Sequence, residues 1–187
     1  MTFPGGWTGI RLHGMKTALQ FDEKGGGELR GDVRSVKLDD GTVAQLRNQK
    51  PQRIDPAPYL KDITVPEWWR LVNGRSYFFC RELEAEKFVA TYLKLGHPQE
   101  LVKLRTSLAL KAVANQVEVT TVNAGVFPRS AVPERGRMTF QILSDVPAAD
   151  VRKIKEVTVV GGIPSLEAAV TTVVLRDVDE SRKRLFP

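Results

Sequence analysis

The sequence predicts an α+β domain: a compact mixed sheet of short strands with peripheral helices. Short runs of β-branched and aromatic residues interleave with short amphipathic runs at irregular spacing, which disfavours a regular parallel βαβ array. No glycine-rich turn follows a first strand, which disfavours a dinucleotide-binding Rossmann fold. No internal repeat and no second compositional regime divides the 187 residues, a length that suits one domain with a sizeable core.

The elements follow in order. Residues 7–13 suit a short helix, with Trp7, Ile10 and Leu12 apolar and Gly14 as its stop. Residues 21–32 are rich in glycine and charge and suit a loop. Gly25-Gly26-Gly27 lacks the Lys-Ser or Lys-Thr of a phosphate loop. Val33–Leu38 and Thr42–Leu46 alternate as strands, and Asp39-Asp40-Gly41 between them signals a hairpin. Residues 47–62 hold three prolines and suit an extended loop. Pro66 marks the first position of a helix that Asn73-Gly74 ends. Trp68 and Trp69 are adjacent in it, so one is expected to be partly exposed or covered by the 47–62 loop.

Ser76–Cys80 reads as an aromatic strand. Residues 82–95 give the clearest helix, with Ala85, Phe88, Val89, Tyr92 and Leu93 on one face and Gly96 closing it. A strand over Leu101–Leu104, a helix over 106–114 and a strand over Val117–Val122 come next. Residues 124–137 form a loop carrying Arg129, Arg135 and Arg137. Met138–Leu143 suits a strand, Ser144 or Asp145 can cap a helix over 147–154, and Val157–Val160 is an apolar β-branched strand. Gly161-Gly162 turns the chain, Pro164 starts a short helix, Thr171–Arg176 returns as a strand, and residues 177–187 form a charged, loosely held tail.

Composition excludes several classes. A hydrophobic fraction of 42% and a charged fraction of 27% argue against disorder. No apolar run reaches the roughly 20 residues of a membrane span, and the N-terminus lacks the basic start and apolar stretch of a secretory signal. The expectation is a cytoplasmic protein without membrane partners. Cys80 is the lone cysteine, so no internal disulfide forms; with only His13 and His97 beside it, no zinc spacing exists. The net charge of +6 favours anionic partners, although a solvated surface explains it equally simply.

Glu156 stands first among candidate residues because it opens the apolar strand 157–160. A carboxylate there lies at the margin of a core, where burial and neighbours set its chemistry. The plainer alternative is a glutamate pointing to water, paired with Lys153 or Lys155. Arg47, Asn48 and Gln49 are either donors to phosphate or carboxamide groups or a solvated loop. Asn73 and Arg75 flank the Gly74 turn, positioning a ligand or capping the helix. Tyr77 either stacks on a ligand ring or packs in the core. Cys80 with His97 would make a nucleophile and base, but the spacing does not favour it. Arg129, Arg135 and Arg137 can contact a polyanion or lie in solvent.

Glu156-Val157-Thr158-Val159, then Gly161-Gly162-Ile163-Pro164, then a short helix and a final strand, resembles the C-terminal signature of bacterial DNA-targeting ADP-ribosyltransferase toxins. In that group a catalytic Glu precedes an apolar strand and an Ile-Pro or Val-Pro turn follows. Val72-Asn73-Gly74-Arg75-Ser76-Tyr77-Phe78-Phe79 resembles the aromatic strand of the same toxins. A closer resemblance is to an uncharacterised bacterial domain family related to them in pattern. Its features run in order: a Trp-containing helix ending His13-Gly14-Met15 with Thr17-Ala18 after it, Arg47-Asn48-Gln49-Lys50-Pro51, Glu67-Trp68-Trp69 leading to the aromatic strand, Asn123-Ala124-Gly125, and the Glu156 segment.

The resemblance implies an ADP-ribosyltransferase-like domain over residues 1–176, NAD as cofactor, and cleavage of the nicotinamide–ribose bond. Glu156 would stabilise the oxocarbenium-like transition state. It implies cofactor contacts at Arg47, Asn48, Gln49, Asn73 and Tyr77, and acceptor contacts at Arg129, Arg135 and Arg137. The acceptor would be nucleic acid or a protein, and the sequence does not identify an antitoxin-like partner. The related transferases carry a nicotinamide-gripping residue on a strand ahead of the Trp-containing helix. Here only Met1–Gly6 precede Trp7, without His, Arg or Tyr, so either the frame begins upstream or part of the cofactor site is lost. Two further expectations stand beside the enzyme: an inactive binding or regulatory domain on the same fold, and a nucleic-acid-binding α+β domain.

Overall fold

The computed structural model describes residues 1–22, 28, 32–46, 52, 54–111, 113–128, 130–179 and 182–186. It is an α+β fold, but its strands belong to three antiparallel sheets instead of the one compact mixed sheet expected. Helices are α1 (Gly6–His13), α2 (Ala18–Phe21), α3 (Val65–Asn73), α4 (Glu82–Leu93) and α5 (Thr106–Lys111). Strands are β1 (Arg34–Lys37), β2 (Val43–Leu46), β3 (Arg75–Phe79), β4 (Gln99–Leu104), β5 (Val117–Thr120), β6 (Gln141–Ile142), β7 (Glu156–Val160), β8 (Val170–Arg176) and β9 (Arg182–Phe186). Their orders are β1-β2, β3-β7-β5-β6 and β4-β8-β9.

Local chemistry explains most boundaries. The β1–β2 hairpin turns at Gly41, whose φ of 87° is available to glycine at no steric cost. α3 begins with a capping box: the Glu67 carboxylate accepts the Thr64 N–H at 2.9 Å, and Thr64 Oγ1 accepts the Glu67 N–H at 3.4 Å. Pro66 is therefore the second helical residue, not the first. Thr17 and Gln20 form the same box on the short helix α2, which the sequence reading left unassigned. β5 stops at Thr120 because its hydroxyl takes the Val122 N–H at 3.1 Å and bends the chain.

Three expectations are corrected. Met138–Leu143 contributes only the two-residue strand β6 between 3₁₀ turns at Arg137–Thr139 and Leu143–Asp145. Residues 147–154 and the segment after Pro164 form 3₁₀ turns, at Ala148–Lys153 and Glu167–Ala169, not α-helices. The tail is not loosely held, because β9 pairs along β8.

Two apolar layers sandwich the four-stranded sheet. Val117, Val159 and their neighbours Phe78 and Val157 face a core shared with Trp7, Ile163 and Val173. On the opposite face, Tyr77 meets a second cluster built on Trp68, Trp69, Phe127 and Phe140. Both tryptophans are buried, at 0% and 4% exposure, so neither is left partly exposed. Phe127 stands edge-on to both rings, Phe140 covers Trp68, and Ile54, Tyr59 and Leu60 of the 47–62 loop complete the cover. No helix among the described residues is long and apolar enough to cross a membrane.

Candidate active site

β7 is one of the two inner strands of its sheet, and Glu156 is its first residue. Register places Phe79 of β3 opposite it on one side and Thr120 of β5 on the other. Alternation along a strand puts Glu156 on the same face as Thr158, Tyr77, Phe79 and Thr120. The β-branched residues 157–160 hold the strand between its two neighbours, so the backbone under Glu156 is fixed on both sides.

The carboxyl group is mostly desolvated. Its Oε2 accepts the Ala124 N–H at 3.0 Å, while no hydrogen bond reaches Oε1 among the described residues. Burial pushes the Glu156 pKa up to about 7, against the downward pull of the Ala124 N–H, Arg135 and Lys155. A carboxyl with that value is a mixture of acid and base at neutral pH, the condition that suits proton exchange with a substrate. Partial burial likewise pushes the neighbouring Cys80 thiol up; Arg81 pulls it down and Glu156 adds to the rise.

Ala124 belongs to a tight loop with many restraints. Gln52 clamps it, donating Nε2 to the Gly125 carbonyl at 3.0 Å and accepting the Phe127 N–H at 2.9 Å. Arg135 is 3% exposed and donates to the carbonyls of Pro133, Asn123 and Val126, at 3.1, 3.0 and 2.8 Å. Its guanidinium carbon lies 4.2 Å from the centre of the Phe127 ring. Burial lowers the Arg135 pKa and Glu156 partly raises it; the group remains a cation.

A cleft of about 450 Å³ opens on the other face of the sheet, against the core that holds Trp7. Its walls include Trp7, Phe78, Phe79, Val157 and Leu104, with Arg81 and Lys103 among its polar residues. Glu156 does not line it, but its strand partner Phe79 and its neighbour Val157 do.

The structure brings only some of the expected site residues together. Tyr77 shares a face with Glu156 in the adjacent strand, but its hydroxyl donates to the Val72 carbonyl at 3.1 Å and its ring packs on the tryptophan cluster. Asn73 is buried at the end of α3, with Nδ2 on the Glu28 carbonyl at 3.0 Å. It precedes β3 at the end where Arg75 pairs with Val160, while Glu156 lies at the far end beside Phe79, so the two do not line one cleft. Arg75 is held by Glu118 at 2.6 Å and by the Leu71 carbonyl.

Arg47, Asn48, Gln49 and Arg129 lie outside the described residues. Arg135 turns inward, contrary to the expectation of a polyanion contact, because three backbone carbonyls and a ring solvate its charge inside. Arg137 is exposed but bound to Glu67 at 2.9 Å. His97 stacks against Tyr92, and no contact among the described residues joins it to Cys80.

The 124–137 loop is legible in the sequence, but the roles of the Ala124 N–H and of Gln52 are not, because a backbone donor has no sequence signature and Gln52 acts on a loop more than seventy residues away. No group of three or more His, Cys, Asp or Glu that could hold a metal ion is found among the described residues. No curated protein and no solved structure matches the chain. A family model does match residues 1–170, and the chain belongs to that family of unknown function, DUF7002.

Proposed function

We propose that the chain is an NAD-dependent ADP-ribosyltransferase-like enzyme with Glu156 as its catalytic carboxylate. One observation carries the reading: a desolvated carboxyl at the end of an inner strand, with one oxygen held by a backbone N–H and the other unbonded. Such a group is costly to keep unless its charge is used. Positive charge developing on a ribose at Oε1 would draw the carboxyl to its ionised form and be stabilised in a site of low dielectric.

The cleft walled by Trp7, Phe78 and Val157 opens on the opposite face of the sheet from Glu156, so a ribose at Glu156 would lie on the Ala124 side, away from it. When bound, NAD supplies the glycosidic bond to be broken. Arg81, whose Nη2 binds the Arg152 carbonyl at 3.0 Å, and Lys155 next to Glu156 would favour an anionic acceptor such as nucleic acid. The reading carries with it a cytoplasmic location, in keeping with a lone cysteine.

A second reading, a binding or regulatory domain on the same fold without turnover, draws on Asn73 and Tyr77, expected at the cofactor, whose Nδ2 and hydroxyl donate to backbone carbonyls instead. Nicotinamide release by the purified chain, measured beside Glu156→Gln, separates the two. Release by the wild type that the variant lacks supports the enzyme. Binding without release supports the second reading, and neither binding nor release in a folded sample removes NAD from both.

A further inference from the structure

We infer that Arg135 is a positioning residue for Glu156: it holds the Asn123–Phe127 strap so that the Ala124 N–H stays on the carboxyl. The argument starts from where the guanidinium spends its donors. Nη1 binds the Pro133 carbonyl, and Nη2 binds the carbonyls of Asn123 and Val126, which bracket Ala124 in the chain. Phe127, the last residue of the strap, holds its ring centre 4.2 Å from the same cation. One side chain therefore grips the strap on both sides of the residue that donates to Glu156. The backbone of Arg135 is itself anchored, its N–H to the Tyr59 carbonyl and its carbonyl to the Lys61 N–H, both at 2.9 Å. Gln52 adds the second clamp, at Gly125 and Phe127.

The arrangement also sets how the cation acts on the carboxyl. Arg135 Nε is buried without a partner, and no hydrogen bond joins Arg135 to Glu156 among the described residues. A direct ion pair would occupy the carboxylate and oppose its use by a substrate. Caged by carbonyls, Arg135 attracts Glu156 without occupying it, and Oε1 stays open. The other charged or titratable groups near Glu156 are Lys155 beside it in the chain and Cys80, with Arg81 next to that thiol.

The test uses the full chain in three forms: wild type, Arg135→Gln and Arg135→Lys, with Glu156→Gln to assign the carboxyl resonance. Two quantities are followed by NMR, the exchange rate of the Ala124 amide and the titration of Glu156. In Arg135→Gln the Ala124 amide is expected to exchange at least about tenfold faster, and Glu156 to titrate at higher pH for want of the cation. Arg135→Lys keeps the charge but cannot span three carbonyls, so Ala124 exchange rises while the titration stays near wild type.

Unchanged Ala124 exchange in a folded Arg135→Gln protein overturns the inference. If that variant does not fold, unchanged exchange in Arg135→Lys overturns it equally. The kinetic readout rests on the proposed transferase reading: kcat for nicotinamide release falls and its pH profile moves, with KM for NAD unaltered. Release that survives Glu156→Gln would remove the transferase reading and leave the NMR result to decide the role of Arg135.

Discussion

Replacing Glu156 by glutamine is expected to stabilise the protein, and to do so only as the pH rises above the ordinary carboxylate range. The side chain ionises near pH 4.5 when unfolded and near 7 in the fold, because burial penalises its charge. Between those values the folded chain holds more protons than the unfolded one, so stability falls as pH rises through the window. Below 4.5 both states are protonated and nothing is lost. Above about 7 the folded protein carries the full penalty, roughly 3 kcal/mol from the gap between the two values. Glutamine keeps the shape and an oxygen for the Ala124 N–H, and has no charge to desolvate. Urea unfolding of both proteins at pH 4.5 and 8.5 measures this. The midpoints should coincide at the lower pH, with the variant about 1 to 2 M higher at the upper one. A variant equally or less stable at pH 8.5, or a difference that does not grow with pH, would refute the reasoning.

Two further substitutions probe the frame around the site. Glu100 accepts the N–H groups of Gly5 and Trp7, both at 2.7 Å, and so ties the start of α1 to β4; Glu100→Gln should cost about 2 kcal/mol in urea unfolding and speed exchange of those two amides, and an unchanged midpoint would count against the tie. Gly161 and Gly162 both have positive φ, but a Cβ at 161 meets open space while one at 162 strikes the Met15 carbonyl that accepts the Ile163 N–H. Gly161→Ala should therefore cost about 1 kcal/mol and Gly162→Ala at least about 3 kcal/mol, with equal losses sinking the distinction.

The sequence revealed elements whose causes are local. The Gly41 hairpin, the amphipathic face of α4 and the β-branched run after Glu156 each depend on residues a few positions apart, and each formed as expected. Elements decided by distant partners were misread. The residues after Arg176 look like a solvated tail until β8 offers an edge for Arg182–Phe186 to pair with. Trp68 and Trp69 diverge around α3; the expected cover from the 47–62 loop arrives at Ile54, Tyr59 and Leu60, but Phe127 and Phe140 complete it from more than fifty residues downstream. Arg135 looked like surface charge because nothing near it in the chain shows that three carbonyls and a ring await it inside. Glu156 was legible as a position, whereas the burial, the N–H and the cation that give it its chemistry come from Ala124 and Arg135 across the fold.

Two glutamates at strand positions show how such chemistry is told from architecture. Glu100 is 3% exposed, and each of its carboxylate oxygens takes a backbone N–H at the start of a helix, where the aligned peptide dipoles also favour negative charge. Both oxygens are satisfied by the backbone, and the result is an anchored N-terminus. Glu156 is desolvated as well, but it receives one N–H, and its nearby cation is bound elsewhere. Its setting favours neither protonation state strongly at neutral pH, and the fold bears a penalty above neutrality that a glutamine would remove. A stabilising carboxylate is satisfied on both oxygens. One with an oxygen left open, at a cost in stability, contributes nothing to folding that a glutamine would not, and on that contrast the proposed role of Glu156 rests.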